Sequence, residues 1–214
     1  MCRRCSSLGS RPEADDMMAR IYFITHPDVV IDPAVPVPDW RLSDRGLARM
    51  HAALGLPWMG SIKGLWCSAE RKARDAAAVL ARPLNLVPTV LPTLGENDRS
   101  ATGYLPRQDF EWLADQFFAR PDTSVRGWER AVDAQARVVE AMRHIYAQGP
   151  ADRDVAVIAH GGVGALLMCH AAGAPIDRAF DQPPTNGGNY FVMDRSTGRL
   201  LQRWARIDPV SGRT

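Results

Sequence analysis

Two histidines stand where the chain can use them for chemistry. His26 follows Ile21-Tyr22-Phe23-Ile24 and Thr25, and His160 directly follows the run DVAVIA, Asp154 to Ala159. Short β-branched and aromatic runs of this kind predict buried strands, so each imidazole is expected at a strand exit. One such histidine can attack phosphorus as a nucleophile while the other neutralises the phosphoryl oxygens. Glu96, in the polar Gly95-Glu96-Asn97 loop, is placed to protonate a leaving oxygen. Gly161 and Gly162 open a helix whose first N–H groups face an anion. Read from these residues alone, a phosphate-handling site competes with a plainer arrangement in which both histidines only satisfy backbone groups.

The elements that must position these residues follow from periodicity. Strands are expected at Ile21–Ile24, Ile62–Cys67, Leu86–Val90, Asp154–Ala159, Asn189–Asp194 and Leu200–Trp204. The last two close around a Ser196-Thr197-Gly198 turn. Ser43 caps a helix to about Leu54, with Asp44 in its first turn. Ser68 caps a second helix over Ala69–Ala81, which Pro83 terminates. Phe110, Leu113 and Phe117 mark an amphipathic helix over 107–118. Val132, Val139, Met142 and Tyr146 mark one face of another, from Trp128 to Ala147, and a last helix runs from Gly161 through His170. Strands alternating with helices predict an α/β fold, a three-layer sandwich around a mainly parallel sheet. Ligands in such sheets sit beyond the C-terminal strand ends, which gathers His26, Ser68 and His160 at one rim. The helical insert over about 97–150 is expected to act as a lid or wall over that rim.

Composition narrows the classes. The chain has 214 residues, 46% apolar and 23% charged, with a net charge of +2. That fits one globular domain over 19–214, preceded by a polar, unpatterned tail over 1–18 in which Met17 and Met18 are alternative starts. A surplus of two positive charges makes no field for nucleic acid, and no apolar run nears the roughly 20 residues of a membrane span. The N-terminus has no apolar core of a secretory signal. Cys2 and Cys5 make half a zinc site at best. Cys67 and Cys169 read as buried thiols, and a cytoplasmic protein is expected. Gly161-Gly162-Val163-Gly164 lacks the spacing of a dinucleotide loop. His51 and His144 are expected exposed, His170 as a core or capping residue, and Trp112 and Trp128 in core packing. Tyr104 and the Arg99–Thr102 loop are equally readable as pocket lining or plain surface, and Asn186-Gly187-Gly188-Asn189 as a cleft border or a turn.

Five motifs in register resemble the histidine phosphatase superfamily, the phosphoglycerate mutase-like family, from about Arg20 to Trp204. Phe23-Ile24-Thr25-His26-Pro27 stands where that family has apolar residues and Arg-His-Gly. Leu42-Ser43-Asp44-Arg45-Gly46 is similar to its Leu-Thr-Glu-x-Gly. Ser68-Ala69-Glu70-Arg71-Lys72-Ala73 is similar to its Ser-Pro-Leu-x-Arg-Ala. Leu94-Gly95-Glu96 fits its acid loop, and Val157 to Val163 its second His-Gly motif. The resemblance implies a metal-independent, cofactor-free phosphomonoesterase. His26 would become phosphohistidine and Glu96 would be the acid and then the base. His160, Thr25, Lys72, Arg71 and Gly161 would surround the phosphate, and the substrate would be a small phosphorylated molecule. It leaves a homodimer open.

Departures from the family pattern set the alternatives. Its first Arg is Thr25 here, its second aligns with Lys72, and the Gly after the nucleophile is Pro27, which has no N–H. Asp28 and Asp32 add negative charge nearby. A lost charge-assisted contact is worth about 1.5–3 kcal/mol, enough to cut a rate by orders of magnitude. Arg71 and Arg99 are the candidate replacements. The alternatives are a catalytically impaired binding or regulatory module and a mutase-type phosphotransferase.

Overall fold

Side-chain alternation along the first strand decides the layering. In β1 (Arg20–Thr25), Ile21 and Phe23 enter one apolar cluster while Tyr22 and Ile24 enter another, as a period of two requires. The sheet is therefore covered on both faces. The computed structural model describes residues 18–148 and 152–208. Its remaining strands are β2 (Ile62–Cys67), β3 (Thr89–Val90), β4 (Asp154–Ala159), β5 (Asn189–Asp194) and β6 (Leu200–Arg206). They form a six-stranded sheet of order β3-β2-β4-β1-β5-β6. The first four are parallel, and β5 and β6 join antiparallel to β1 and to each other.

Helices α1 (Asp44–Ala53) and α2 (Arg71–Leu84) cover one face through Met50, Ala53, Ala73, Ala77 and Leu80. Helices α4 (Ala131–Ala147) and α5 (Gly161–Ala171) cover the other through Val138, Met142, Ile145, Val163 and Leu167. Helix α3 (Arg107–Ala119) lies outside that layer and packs Leu113, Phe117 and Phe118 with Leu166 of α5. Because α5 is wedged between the sheet and α3, nearly every side of it is buried.

The insert accordingly divides. Helix α4 is a layer of the sandwich, not a lid, and only α3 and the loop before it stand over the rim. Helix α2 also departs from expectation. It begins at Arg71, and Pro83 lies inside its last turn; the stop is Asn85, which adopts a left-handed conformation at φ +52°. Ser43, by contrast, caps α1 as expected, accepting from Gly46 N–H at 3.1 Å. Strand β3 is confined to two residues. Trp112 is 58% exposed, against the expectation of core packing, while Trp128 is buried. His170 is exposed too, and so are His51 and His144. Cys67 and Cys169 are buried free thiols. Apart from Met18, the expected tail and its Cys2 and Cys5 lie outside the described residues. No helix among the described residues is long and apolar enough to cross a membrane.

Candidate active site

Hydrogen bonding continues past the strand ends and locks three rim segments together. His26 N–H donates to Ala159 O at 3.1 Å, Ser68 N–H to Ile158 O at 2.9 Å, and Leu91 N–H to Cys67 O at 2.9 Å. The loop after β1 is gripped from two sides by glycines. A Cβ at Gly46 would stand 2.2 Å from the Asp28 carbonyl oxygen, and one at Gly187, where φ is +74°, would stand 2.0 Å from that of His26. Neither position has room for a side chain. Beneath the loop, buried Arg49 reaches Asp28 at 2.8 Å and Asp208 at 3.0 Å. Asp28 is thereby balanced, and Arg49 holds its carboxyl below the usual range against the opposing effect of burial.

His26 is fixed in one tautomer. Its Nδ1 lies 3.0 Å from the Pro27 carbonyl oxygen. A carbonyl only accepts, so Nδ1 carries the proton and Nε2 keeps its lone pair. Burial, then the proximity of His160 and Lys72, lowers the His26 pKa to about 3. The imidazole is therefore neutral at ordinary pH, with the lone pair of Nε2 available.

His160 stands 5.2 Å from His26 between ring centroids, but it is wholly buried and does not reach the cleft surface. Its Nε2 lies 2.8 Å from Ser68 Oγ and 3.3 Å from Glu70 Oε1, which places the proton on Nε2, because a carboxylate only accepts. Nδ1 has no partner. Burial pushes the His160 pKa down, against the pull of Glu70 and Glu96. Glu70 is the centre of this knot. It also accepts from Lys72 Nζ at 2.5 Å and from Glu96 N–H at 2.8 Å. Burial would raise its carboxyl, but His160 and Lys72 outweigh that and hold it at about 2.

Glu96 faces the helix that begins after His160. Its carboxylate accepts from Gly162 N–H at 3.1 Å and Val163 N–H at 3.0 Å, and from Asn97 N–H at 3.1 Å. The free N–H groups expected at the start of α5 are thus already taken by Glu96. Above lies a cleft of about 670 Å³, lined among others by His26, Glu96, Asn97, Arg99, Gly161 and Gln182. Arg99 lies 4.9 Å from the Phe110 ring centroid and 5.7 Å from that of Trp128. Its guanidinium makes no ion pair among the described residues, and the two ring faces hold it.

The structure therefore brings His26, Glu96, Arg99, Asp28 and Gly161 to one cleft. It withdraws four expected phosphate contacts, His160 among them because it is sealed beneath the cleft. Thr25 is buried, with its hydroxyl donating to Gln182 Oε1 at 2.8 Å and accepting from Asn189 N–H at 3.0 Å. Lys72 is 3% exposed and spends its ammonium on Glu70 and on the Val37 carbonyl at 2.8 Å. Arg71 is exposed away from the cleft and pairs with Asp75 at 2.8 Å, as the 100° turn between adjacent helical residues dictates.

Four further residues belong to the site. Glu70 holds His160, and Gln182 lies over Gly161, its Nε2 2.2 Å from where a Cβ there would be. Asn97 is buried at the cleft with Nδ2 unpartnered. Asp181 lines the cleft, and burial raises its carboxyl against the N–H of Gln182 and the charge of Arg178. Only Glu70 left a signal in the sequence, as an acid where the family pattern has Leu. Among the described residues, no group of three or more His, Cys, Asp or Glu is placed to hold a metal.

No curated protein sequence matches the chain. Solved structures do. A mycobacterial glucosyl-3-phosphoglycerate phosphatase in complex with inorganic phosphate is 22% identical at a TM-score of 0.68, covering 90% of this chain and 100% of that one. A protein described as mycobacterial hydrolase 2 is 20% identical at 0.72, covering 91% and 93%. YhfR of Bacillus stearothermophilus is 18% identical at 0.70, covering 90% and 98%. At these identities the likeness is one of fold. The model of the histidine phosphatase superfamily, branch 1, matches residues 33–206, beginning beyond the divergent Thr25-His26-Pro27. A match over that much of the chain makes this protein a member of the histidine phosphatase superfamily.

Proposed function

We propose that the protein is a metal-independent phosphomonoester hydrolase working through a phosphohistidine on His26. The observation that carries this reading is the single tautomer of His26. With Nδ1–H tied to Pro27 O at 3.0 Å, Nε2 is the free nitrogen of a neutral imidazole at the cleft. Membership of the superfamily supports phosphatase- or phosphotransferase-type chemistry. So does the phosphate complex of the mycobacterial phosphatase of like fold.

The steps balance on groups present in the cleft. Nε2 attacks phosphorus as the phosphorus–oxygen bond to the alcohol breaks, and the proton of the monoanionic ester passes by way of Glu96 to the departing oxygen. Water then attacks the phosphohistidine, its proton passes to Glu96, and the nitrogen–phosphorus bond breaks to release phosphate. Arg99 is the cation at the phosphoryl oxygens, and the Asn97 amide is a buried donor beside it. His160, backed by Glu70 and Ser68, lies beneath the cleft.

A second reading, a binding module without turnover, draws on one observation. Thr25 and Lys72 are consumed by Gln182 and Glu70. Metal-free hydrolysis of a phosphomonoester panel across pH 4–8, wild type against His26→Ala, separates the two. Turnover lost in the variant supports the hydrolase. No turnover above the variant for any ester overturns it in favour of the binding module.

A further inference from the structure

The wall opposite His26 has a chemistry of its own. Trp40 and Tyr104 line it with ring centroids 5.7 Å apart, and Phe110 and Trp128 follow at 5.9 Å. Both indoles have spent their polar edge. Trp40 Nε1 donates to the carbonyls of Asp32 and Val35 at 2.9 and 3.0 Å, and Trp128 Nε1 to Thr102 Oγ1 at 2.8 Å. Both indoles are buried, and the ring beside them that is open to a ligand is Tyr104. At the mouth, Ile31 is 60% and Tyr104 39% exposed, large apolar side chains left open to the cleft.

Charge in the cleft argues against a second anion on the substrate. Asp28, Glu96, Glu111 and Asp181 line it, against Arg99, Arg107 and Arg178. Arg178 is neutralised by Glu111, Asp115 and Asp181. Arg99 is required at the phosphate, and Arg107 is exposed at the mouth. Asp28 is paired with Arg49, and Glu111 and Asp181 with Arg178, so a carboxylate or second phosphate on the leaving group would face Glu96, the cleft acid without an ion pair among the described residues.

Resting on the hydrolase reading, we propose that the substrate is the phosphomonoester of an alcohol bearing a flat aromatic ring and no further negative charge. The phosphoryl group would sit at His26 and Arg99, and the ring against Tyr104 and Ile31. A cleft of about 670 Å³ accommodates such a molecule.

The test compares esters whose alkoxides have similar basicity, so that kcat/KM reads recognition and not leaving-group chemistry. The panel is 2-phenylethyl phosphate, 2-(2-naphthyl)ethyl phosphate, glycerol 1-phosphate and 3-phosphoglycerate, with wild type, Tyr104→Ala, Ile31→Ser and His26→Ala. The naphthylethyl ester is expected to exceed glycerol 1-phosphate at least 30-fold and 3-phosphoglycerate by more, as burial of one ring face provides. Tyr104→Ala and Ile31→Ser are each expected to reduce that ratio several-fold. Turnover without aromatic preference, or a preference for 3-phosphoglycerate, overturns the substrate class and leaves the hydrolase standing. No ester turned over above His26→Ala overturns the hydrolase and this inference with it.

Discussion

His26 and His160 end neighbouring parallel strands, with Thr25 paired to Ala159 just before them, yet the two sites are built oppositely. His26 leads into a loop held by its own backbone. Its Nδ1 proton goes to Pro27 O, and its other nitrogen is left to the cleft. His160 leads into a helix and is sealed beneath that cleft, its ring held by Ser68 and Glu70 from the next strand over. A strand end fixes where a histidine stands, and the segment that follows fixes what it can do. The one that lines the cleft can be a nucleophile. The buried one, held by a hydroxyl and a carboxylate, ties the segment after β2 to the start of α5.

Removing the nucleophile has the largest effect under this division. His26→Gln is expected to lower kcat/KM on any hydrolysed ester at least 10³-fold, measured by phosphate release, with a fold intact by circular dichroism. Breaking the His160 side acts instead on stability. Glu70→Gln leaves Lys72 buried without its carboxylate, and urea unfolding is expected to show a loss of about 3 kcal/mol. The effect on Glu70→Ala should be at least as large.

The cation assignment is sharpened by a pair. Arg99→Ala is expected to lower kcat/KM about 10- to 100-fold, the loss of one charge-assisted contact. Arg71→Ala, whose side chain pairs with Asp75 away from the cleft, should stay within about twofold. An equal loss in both would contradict the placement of Arg99.

A further effect is on the pH dependence of stability. The His26 pKa falls from 6.5 to about 3 on folding, so the unfolded chain binds the extra proton first. Stability from this group is intact above 6.5 and declines as pH falls toward 3, by up to about 1.4 kcal/mol per unit. Urea midpoints between pH 7 and 4 should fall less steeply in His26→Gln than in wild type.

Much of the frame was legible. The spans of β2, β4 and β5 follow from apolar runs with clear boundaries, and Ser43 caps α1 because a polar loop precedes an amphipathic pattern. The start of α2 was not legible, because Ser68 Oγ serves His160 and Glu70, with extended backbone dihedrals, takes the N-cap position. The same extension explains the misplaced Lys72. Residues two apart do not meet on a helix, but Glu70 precedes the first turn, so its carboxylate reaches the ammonium. Thr25 looked like a weakened phosphate contact, and its partners Gln182 and Asn189 lie more than 150 positions away. Long-range polar pairing of this kind leaves no local pattern.

The central claim is the covalent step on His26, and rapid quenching during turnover of a ³²P-labelled ester tests it most directly. Acid-labile, base-stable label on the wild-type protein and none on His26→Gln is the predicted result. Turnover without labelled protein, or label retained by His26→Gln, would contradict it.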